Sequence, residues 1–315
     1  MAKEEQIRFL SKNGKTMIHG VKWLPETGEY RAILQITHGM VEYIERYRPF
    51  AEYLTERGFM VVGHDHLGHG ESVNSQEEWG YIGENPSDTL VEDMHSLRTM
   101  IQKENPGVPY FMLAHSMGSY MLRKYLCIHN ENLTGAVIMG TGCVADGTMK
   151  LGMWLCRVIA AFRGWDYRSK LLRSLSYGKS YKKFDSYGKD YTKSWLTKDV
   201  ECVKKYFSDP KCSFSFTVNA YYGLMEAVHF DNQMENAKKV PKDLPLFLVS
   251  GDQDPVGDLG EGVKKVYHMY KDAGIRDLTY KLYENDRHEI LNETDKEQVF
   301  SDIYAWMNVR LPQEA

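Results

Sequence analysis

The sequence has little cysteine, and none of it is spaced for chemistry. Five cysteines occur in 315 residues, an odd number, and no two of them form a C-x-x-C pair. Such a pair is the usual sign of a zinc site or a redox-active dithiol. We therefore expect reduced thiols, as in a cytosolic protein, rather than a disulfide framework.

Long apolar runs are missing as well. No stretch without Asp, Glu, Lys or Arg in the first half, including the one that contains 108–122, reaches the ~20 residues that a bilayer-spanning helix needs. The charged segment 1–6 is not followed by the apolar run of a secretory signal. We expect a cytoplasmic protein without a spanning helix.

An excess of positive charge is also absent, since the formal net charge is -4. Nucleic-acid binders need a basic surface to displace phosphate counterions, so nucleic acid is not an expected partner. The chain does have 43% hydrophobic residues, enough for a large core.

Apolar runs of strand length alternate with amphipathic stretches, which is typical of parallel strands joined by helices. The predicted strands are 17–23, 32–37, 59–63, 110–114, 135–140, 244–249 and 278–283. The predicted helices are 47–57, 88–104, 120–129, 261–273 and 295–311. This order predicts the α/β class, with a mostly parallel central sheet flanked by helices.

The alternation stops between residues 143 and 240, where Tyr, Phe, Trp, Lys and Ser become frequent. We interpret 143–240 as an inserted helical cap and 1–142 with 241–315 as the core. The alternative is that this region holds further strand-helix units. Segment 152–162 is apolar nearly all round, which favours burial or the lining of a cavity; contact with a lipid surface is the alternative.

The segment Ala114-His115-Ser116-Met117-Gly118 has the form small-x-Ser-x-Gly between a predicted strand and a predicted helix. A serine on so sharp a turn needs small neighbours. The turn lifts its hydroxyl clear of the sheet, at the positive end of the following helix. The pattern predicts Ser116 as a nucleophile.

A serine nucleophile needs a histidine base that is oriented by a carboxylate, and in this pattern the acid and then the histidine follow the serine in the chain. His129 and His268 lie in predicted helices, and His229 lies in the predicted cap. Only His288 lies in a polar loop just beyond a predicted strand, where it can reach the carboxyl edge of the sheet. We take His288 as the base.

Candidates for the acid lie in the loop 250–256, after another predicted strand. This loop contains Asp252 and Asp254, and Asp258 is nearby. One Asp of such a Gly- and Pro-containing turn often bonds only its own backbone. Spacing alone does not choose between Asp252 and Asp254, although we favour Asp254.

Acyl transfer also needs donors for the oxyanion, usually two backbone N–H groups. Met117, the residue after the nucleophile, supplies one in this interpretation. The loop at 36–40 follows an early strand and offers the N–H of Met40. His38 in this loop could instead be a histidine with ordinary hydrogen bonds.

Three histidines and an aspartate in six residues, His64 to His69, could also suggest a metal site. No second group of ligands follows downstream, and Asp and Gly in a tight turn often serve the backbone. We expect neither a metal nor a cofactor.

Together, the segments 37–40, 65–72, 114–118, 250–256 and 287–289 resemble the monoacylglycerol lipase and lysophospholipase group of α/β-hydrolases. They occur in the expected order over most of the chain. The sequence departs from the pattern at Ala114, where glycine is usual, and at Ser119, where a second glycine is common.

The resemblance implies Ser116 as nucleophile, Asp254 as acid, His288 as base, and Met40 and Met117 as oxyanion donors. It makes the histidine cluster a structural turn and places an acyl-binding tunnel under a mobile cap. The residues expected to contact the substrate are His38, Gly39, His115, Trp154, Tyr222 and Val256.

The expected activity is hydrolysis of monoacylglycerol- or lysophospholipid-like esters through an acyl-enzyme. A short-chain carboxylesterase or a serine aminopeptidase would use the same triad. A non-catalytic ligand-binding protein of the same fold is the alternative of another class. The expected partners are the small-molecule acyl ester and, through the cap, a membrane or micelle in transient contact.

Overall fold

A single eight-stranded sheet organises the computed structural model, which describes residues 2–312. The strands are β1 (Lys3–Leu10), β2 (Met17–Leu24), β3 (Ala32–Thr37), β4 (Phe59–His64), β5 (Tyr110–His115), β6 (Gly135–Met139), β7 (Leu246–Gly251) and β8 (Leu278–Tyr283). Their order is β1-β2-β4-β3-β5-β6-β7-β8. The β1–β2 and β2–β4 pairs are antiparallel and all the others are parallel.

Helices cover both faces of this sheet. They are α1 (Arg48–Thr55), α2 (Pro86–Glu104), α3 (Met117–Ile128), α4 (Asp146–Arg163), α5 (Lys170–Ser176), α6 (Val200–Ser208), α7 (Val218–Asp231), α8 (Met234–Ala237), α9 (Glu261–Asp272) and α10 (Lys296–Asn308). The predicted α/β class with a mostly parallel sheet is confirmed.

The central strands are buried on both sides, as parallel strands between helical layers must be. Every residue of β5 is buried. Met112 and Ala114 pack into the hydrophobic core that also holds the apolar side chains of α2, α3 and α9. Phe111 and Leu113 pack into the opposite core, with those of α1 and α10. This two-faced burial explains why the strands appear in the sequence as continuous apolar runs.

Strand β1 is the element that the sequence analysis missed. It begins Lys3-Glu4-Glu5-Gln6, and none of its residues is fully buried. It is an edge strand that pairs with β2 alone, so its charged side chains can stay in water. Such charges disfavour pairing of the free edge with a strand of another molecule. A strand of this kind carries no apolar run by which to recognise it.

Between β6 and β7 the chain forms helices α4 to α8 and several short 3-10 turns. We call residues 140–245 the insertion. Its last long helix, α7, packs on α2 and α3 of the core, where Gly223 lies so close to Pro86 that a Cβ would approach the ring to 2.7 Å. The predicted cap boundaries at 143 and 240 stay a prediction.

Across residues 2–312, no helix combines the length and the apolar character needed to cross a membrane.

Candidate active site

Ser116 lies on the sharp turn between β5 and α3. Its backbone has φ 54° and ψ -121°, an unusual conformation for a residue with a side chain. Its N–H donates to Met139 O at 3.0 Å, and its carbonyl accepts the N–H of Ser119 at 2.9 Å. Ser116 is partly exposed, whereas its neighbours His115 and Met117 are buried. Ser116 therefore lies, partly exposed, at the carboxyl end of β5.

The turn packs so tightly on the neighbouring loop that two glycines are required there. A Cβ on Gly118 would lie 2.4 Å from His38 O, and a Cβ on Gly39 would lie 2.9 Å from the Ser116 Cβ. Ala114, which departs from the family pattern, is fully buried in β5 and does not prevent the turn. The tight turn therefore depends on the absence of a side chain at Gly118 and Gly39 and not on a glycine at position 114.

Asp254 and His288 are in direct contact. His288 Nδ1 lies 2.9 Å from Asp254 Oδ2, which Ser250 Oγ also approaches to 3.0 Å, and the N–H of Val256 donates to Oδ1 at 2.9 Å. Burial of Asp254 would raise the pKa of its carboxyl, but the His288 imidazole and these hydrogen bonds lower that pKa below its ordinary value. The carboxylate is therefore ionised and fully buried.

Asp252, the other candidate acid, has different partners. Its Oδ1 accepts the N–H of Asn285 at 2.9 Å and Gln253 Nε2 at 2.9 Å. Asp252 thus tethers the loop after β8, while Asp254 reaches the imidazole. The tertiary contacts therefore distinguish Asp254 from Asp252, between which the sequence spacing did not choose.

The other downstream histidines lie outside this site. His129 Nε2 pairs with Glu92 at 2.6 Å, His229 with Asp146, and His268 lies exposed on α9. Of the four, His288 is the one that the structure brings to Asp254.

The loop after β3 carries the predicted oxyanion donor Met40, which is half-buried. His38 in this loop is fully buried, with Nδ1 2.8 Å from Gly39 O and Nε2 accepting the N–H of His66 at 2.8 Å. Its two nitrogens bond to backbone, so a contact between this side chain and substrate stays a prediction. Met117 is the first residue of α3, where a helix leaves N–H groups without an internal acceptor.

A buried carboxylate that the sequence analysis missed joins these loops. Glu42 Oε1 accepts the N–H of Gly39 at 2.6 Å and contacts His115 Nδ1 at 3.0 Å, while Oε2 accepts Arg46 at 2.8 Å. Arg46 also pairs with Glu289, the residue after His288, at 2.6 Å. The only signal in the sequence is an acidic residue two positions after Met40.

The charges of this cluster compensate one another. Burial would raise the pKa of the Glu42 carboxyl, but His115 and Arg46 hold it well below its ordinary value. Burial would lower the pKa of the His115 imidazole, but Glu42 raises it above its ordinary value. The lowered pKa of Glu42 and the raised pKa of His115 both indicate an ion pair between these two side chains, next to the turn that carries Ser116.

Trp154 and Tyr222, two predicted substrate contacts, lie in the insertion. Trp154 is exposed on α4. Tyr222 on α7 accepts a hydrogen bond from Arg157 at 2.7 Å and packs edge-on against Trp165 at 5.4 Å. These contacts do not involve the triad residues, so substrate binding by Trp154 and Tyr222 stays a prediction. The same applies to Val256, whose N–H supports Asp254.

The histidine cluster at 64–69 forms a buried turn. Asp65 accepts the N–H groups of Ile44 and Glu71 at 2.8 Å each, and Gly70 lies against its carboxylate. His64 and His69 are fully buried, and burial lowers the pKa of each to about 3, so both are neutral. Within residues 2–312, no three ligand atoms of this cluster lie within 4.8 Å of one another.

Comparison with known families matches residues 28–295 to the family described as serine aminopeptidase, S33. The chain belongs to this family. Among the relatives of this chain, human monoglyceride lipase is 28% identical over 91% of this chain and 86% of its own length. The monoacylglycerol lipase of Mycolicibacterium smegmatis is 25% identical over 95% of both chains.

Solved structures agree with this assignment. A carboxyl esterase from Bacillus coagulans in complex with glycerol superposes with a TM-score of 0.86 at 29% identity, over 97% of this chain and 98% of the other. A soluble variant of Saccharomyces cerevisiae monoglyceride lipase, at 22% identity and TM-score 0.77 over 98% and 96%, shares the fold. The relation to the monoacylglycerol lipase group, the α/β-hydrolase fold and the general class of serine ester hydrolase are confirmed.

Proposed function

We propose that this S33-family chain hydrolyses monoacylglycerol- and lysophospholipid-like esters through an acyl-enzyme on Ser116. The observation that carries the proposal is the buried 2.9 Å contact between Asp254 and His288 at the sheet edge where the Ser116 turn lies. Monoglyceride and monoacylglycerol lipases among the relatives support the substrate class.

In the proposed reaction, Ser116 Oγ attacks the ester carbonyl while His288 Nε2 accepts the hydroxyl proton. The N–H groups of Met40 and Met117 hold the oxyanion of the tetrahedral intermediate. His288 then gives the proton to the departing alcohol, and the C–O bond to that alcohol breaks. A water molecule, deprotonated by His288, attacks the acyl-enzyme and releases the fatty acid and free Ser116.

Asp254 serves this cycle without changing its own charge. Its buried carboxylate accepts the Nδ1 proton of His288, which leaves Nε2 facing the reaction, and it stabilises the imidazolium that forms. The supporting bonds from Ser250 and Val256 fix the carboxylate in this orientation.

We also propose that the outer face of the insertion contacts an anionic lipid surface. Leu151, Trp154 and Phe162 on α4 and Leu171 and Leu175 on α5 are each more than half exposed. Residues 146–183 carry nine Lys or Arg and two Asp, in a chain whose net charge is -4. Exposed apolar side chains with flanking basic residues favour the headgroup region of anionic lipids.

We propose a cytoplasmic location on the sequence expectation, which is supported by five free thiols and no disulfide in residues 2–312.

The experiment is a set of initial rates on p-nitrophenyl esters from acetate to palmitate, a monoacylglycerol, a lysophospholipid and an aminoacyl amide. The control is Ser116→Ala. Hydrolysis of the long-chain esters that disappears in Ser116→Ala is expected. Activity confined to acetate and butyrate would replace the lipid with a small ester, cleavage of the amide alone would favour an aminopeptidase, and activity in Ser116→Ala would overturn the mechanism.

A further inference from the structure

A short segment of the insertion lies directly against the loop that carries His288. We call residues 192–198 the brace; it leads from a 3-10 turn into α6. The N–H of His288 donates to Trp195 O at 3.3 Å, and the N–H of Glu289 donates to Leu196 O at 2.7 Å. The backbone of His288 is thus held by a part of the chain outside the α/β core.

Arg287 fastens the brace from the other side. Its guanidinium donates to the carbonyl oxygens of Ser194 at 2.5 Å, Thr197 at 3.2 Å and Thr192 at 3.2 Å. The planar fork of donors on arginine can serve several acceptors at once, which the point charge of lysine does less well. Three carbonyl oxygens of the brace, those of Thr192, Ser194 and Thr197, therefore bond to a single guanidinium.

An ion cluster closes the end of the brace. Lys198 Nζ lies 2.5 Å from Asp286, 3.9 Å from Glu293 and 3.7 Å from Asp295. Asp286 and Glu293 are fully buried, so the ammonium of Lys198 compensates carboxylates that water does not reach. The brace is bound at both ends as well as in its middle.

The indole of Trp195 lies over the imidazole that these bonds position. The ring centroids of Trp195 and His288 are 5.0 Å apart with a 35° tilt. The ring of His115 lies 4.5 Å from the same imidazole. With Asp254 on Nδ1, these two rings restrict the rotation of the side chain that has to meet Ser116.

We infer that Trp195 is a positioning residue for His288, supplied by the insertion. The inference rests on the proposed function, in which His288 exchanges protons with Ser116. The indole holds the imidazole in register with the nucleophile, and its π face favours the imidazolium form that arises during acyl transfer. Misplacing a reacting group by an ångström can cost a hundredfold in rate, so such a contact acts on kcat.

The test compares Trp195→Leu with Trp195→Phe. Both variants keep the main-chain carbonyl that accepts the His288 N–H, so they isolate the ring. We expect Trp195→Leu to lower kcat on a monoacylglycerol roughly tenfold, with KM within about twofold, and to slow fluorophosphonate labelling of Ser116 equally. Trp195→Phe should recover most of both rates, because it restores an aromatic face.

The matched control is Tyr187→Leu, which removes an exposed aromatic ring of the insertion that packs on Tyr177 rather than on His288. It should keep wild-type rates, and thermal unfolding of all three variants reports whether the fold is intact. Wild-type kcat in Trp195→Leu, a change in KM alone, or an equal loss in the Phe and Leu variants would overturn the inference.

Failure of the proposed substrate would give a different result. Wild-type protein that is labelled at Ser116 yet cleaves none of the lipid esters would overturn the substrate class. The labelling rates would still test the inference, because phosphonylation of Ser116 needs a correctly placed His288. Absence of labelling in the wild type would overturn both.

Discussion

His288 and Asp254 are 34 positions apart in the chain, and their 2.9 Å contact selects one of two neighbouring aspartates as the partner of the imidazole. Asp252, two residues earlier, bonds to Asn285 instead. Two residues of the same loop thus have different contacts: Asp254 meets His288 at the buried edge of the sheet, and Asp252 tethers the loop after β8. Matched amide variants of the two aspartates should therefore behave differently.

Asp254→Asn should lower kcat by about 10³-fold or more, because an amide cannot hold the Nδ1–H tautomer or stabilise an imidazolium. Asp252 and Asp254 flank Gln253, and Asp252→Asn should keep kcat within about threefold of wild type. Initial rates on p-nitrophenyl butyrate for both proteins decide this. Equal losses in the two variants would contradict the assignment of Asp254.

Glu42→Gln should weaken both activity and stability. The amide leaves the buried His115 without its carboxylate and leaves Arg46 with Glu289 alone; breaking such a buried pair typically costs about 3 kcal/mol or more in unfolding free energy. The neutral amide oxygen accepts the Gly39 N–H less strongly than the carboxylate does, which should loosen the predicted oxyanion loop and lower kcat by about tenfold, with little change in KM.

Urea unfolding and steady-state kinetics measure the two effects. Glu56→Gln is the control, since Glu56 lies exposed after α1 and forms only a surface contact with Arg57. Unchanged kcat in Glu42→Gln would show that the oxyanion loop does not depend on this carboxylate.

The buried histidine turn predicts acid sensitivity. Burial lowers the pKa of His64 and of His69 to about 3, below the value of ~6.5 in the unfolded chain. The unfolded state therefore binds more protons between these values, and stability is lost as pH falls below about 6.5. Between pH 7.5 and 5, each imidazole should cost about 2 kcal/mol of unfolding free energy.

Urea titrations at pH 7.5 and pH 5 check this expectation. The quantity to compare between wild type and His64→Leu is the change in unfolding free energy between the two pH values. The variant removes one of the neutral imidazoles and should lose less stability on acidification. His268→Gln, at an exposed position on α9, should behave as wild type. The same change in all three proteins would show that the turn does not govern acid sensitivity.

The exposed face of α4 predicts lipid binding. The double variant Trp154→Ser with Phe162→Ser should reduce co-sedimentation with phosphatidylglycerol vesicles at least tenfold, because two large apolar side chains no longer enter the interface. Hydrolysis of soluble p-nitrophenyl butyrate should change little. Val309→Ser, an exposed apolar residue beyond α10, is the control. Equal binding by the double variant would remove α4 from the contact.

The sequence alone determined the fold class, seven of the eight strands, and Ser116 and His288 as candidates. It did so because burial of a parallel strand between helices and the tight turn at Ser116 leave local signatures, namely apolar runs and small residues at set spacings. Strand β1 escaped because an edge strand pairs on one side and keeps its charges in water.

Spacing left the choice between Asp252 and Asp254 open, and the tertiary structure shows that Asp254, which the resemblance implied, is the one that contacts His288. Only the tertiary structure shows that Glu42 joins two loops and that the brace covers the imidazole. Each of these contacts joins residues far apart in the chain or depends on the direction of one side chain in a loop. Sequence spacing does not encode such directions, because loops have no fixed period. They arise when the strands align their carboxyl ends and the insertion folds back over them.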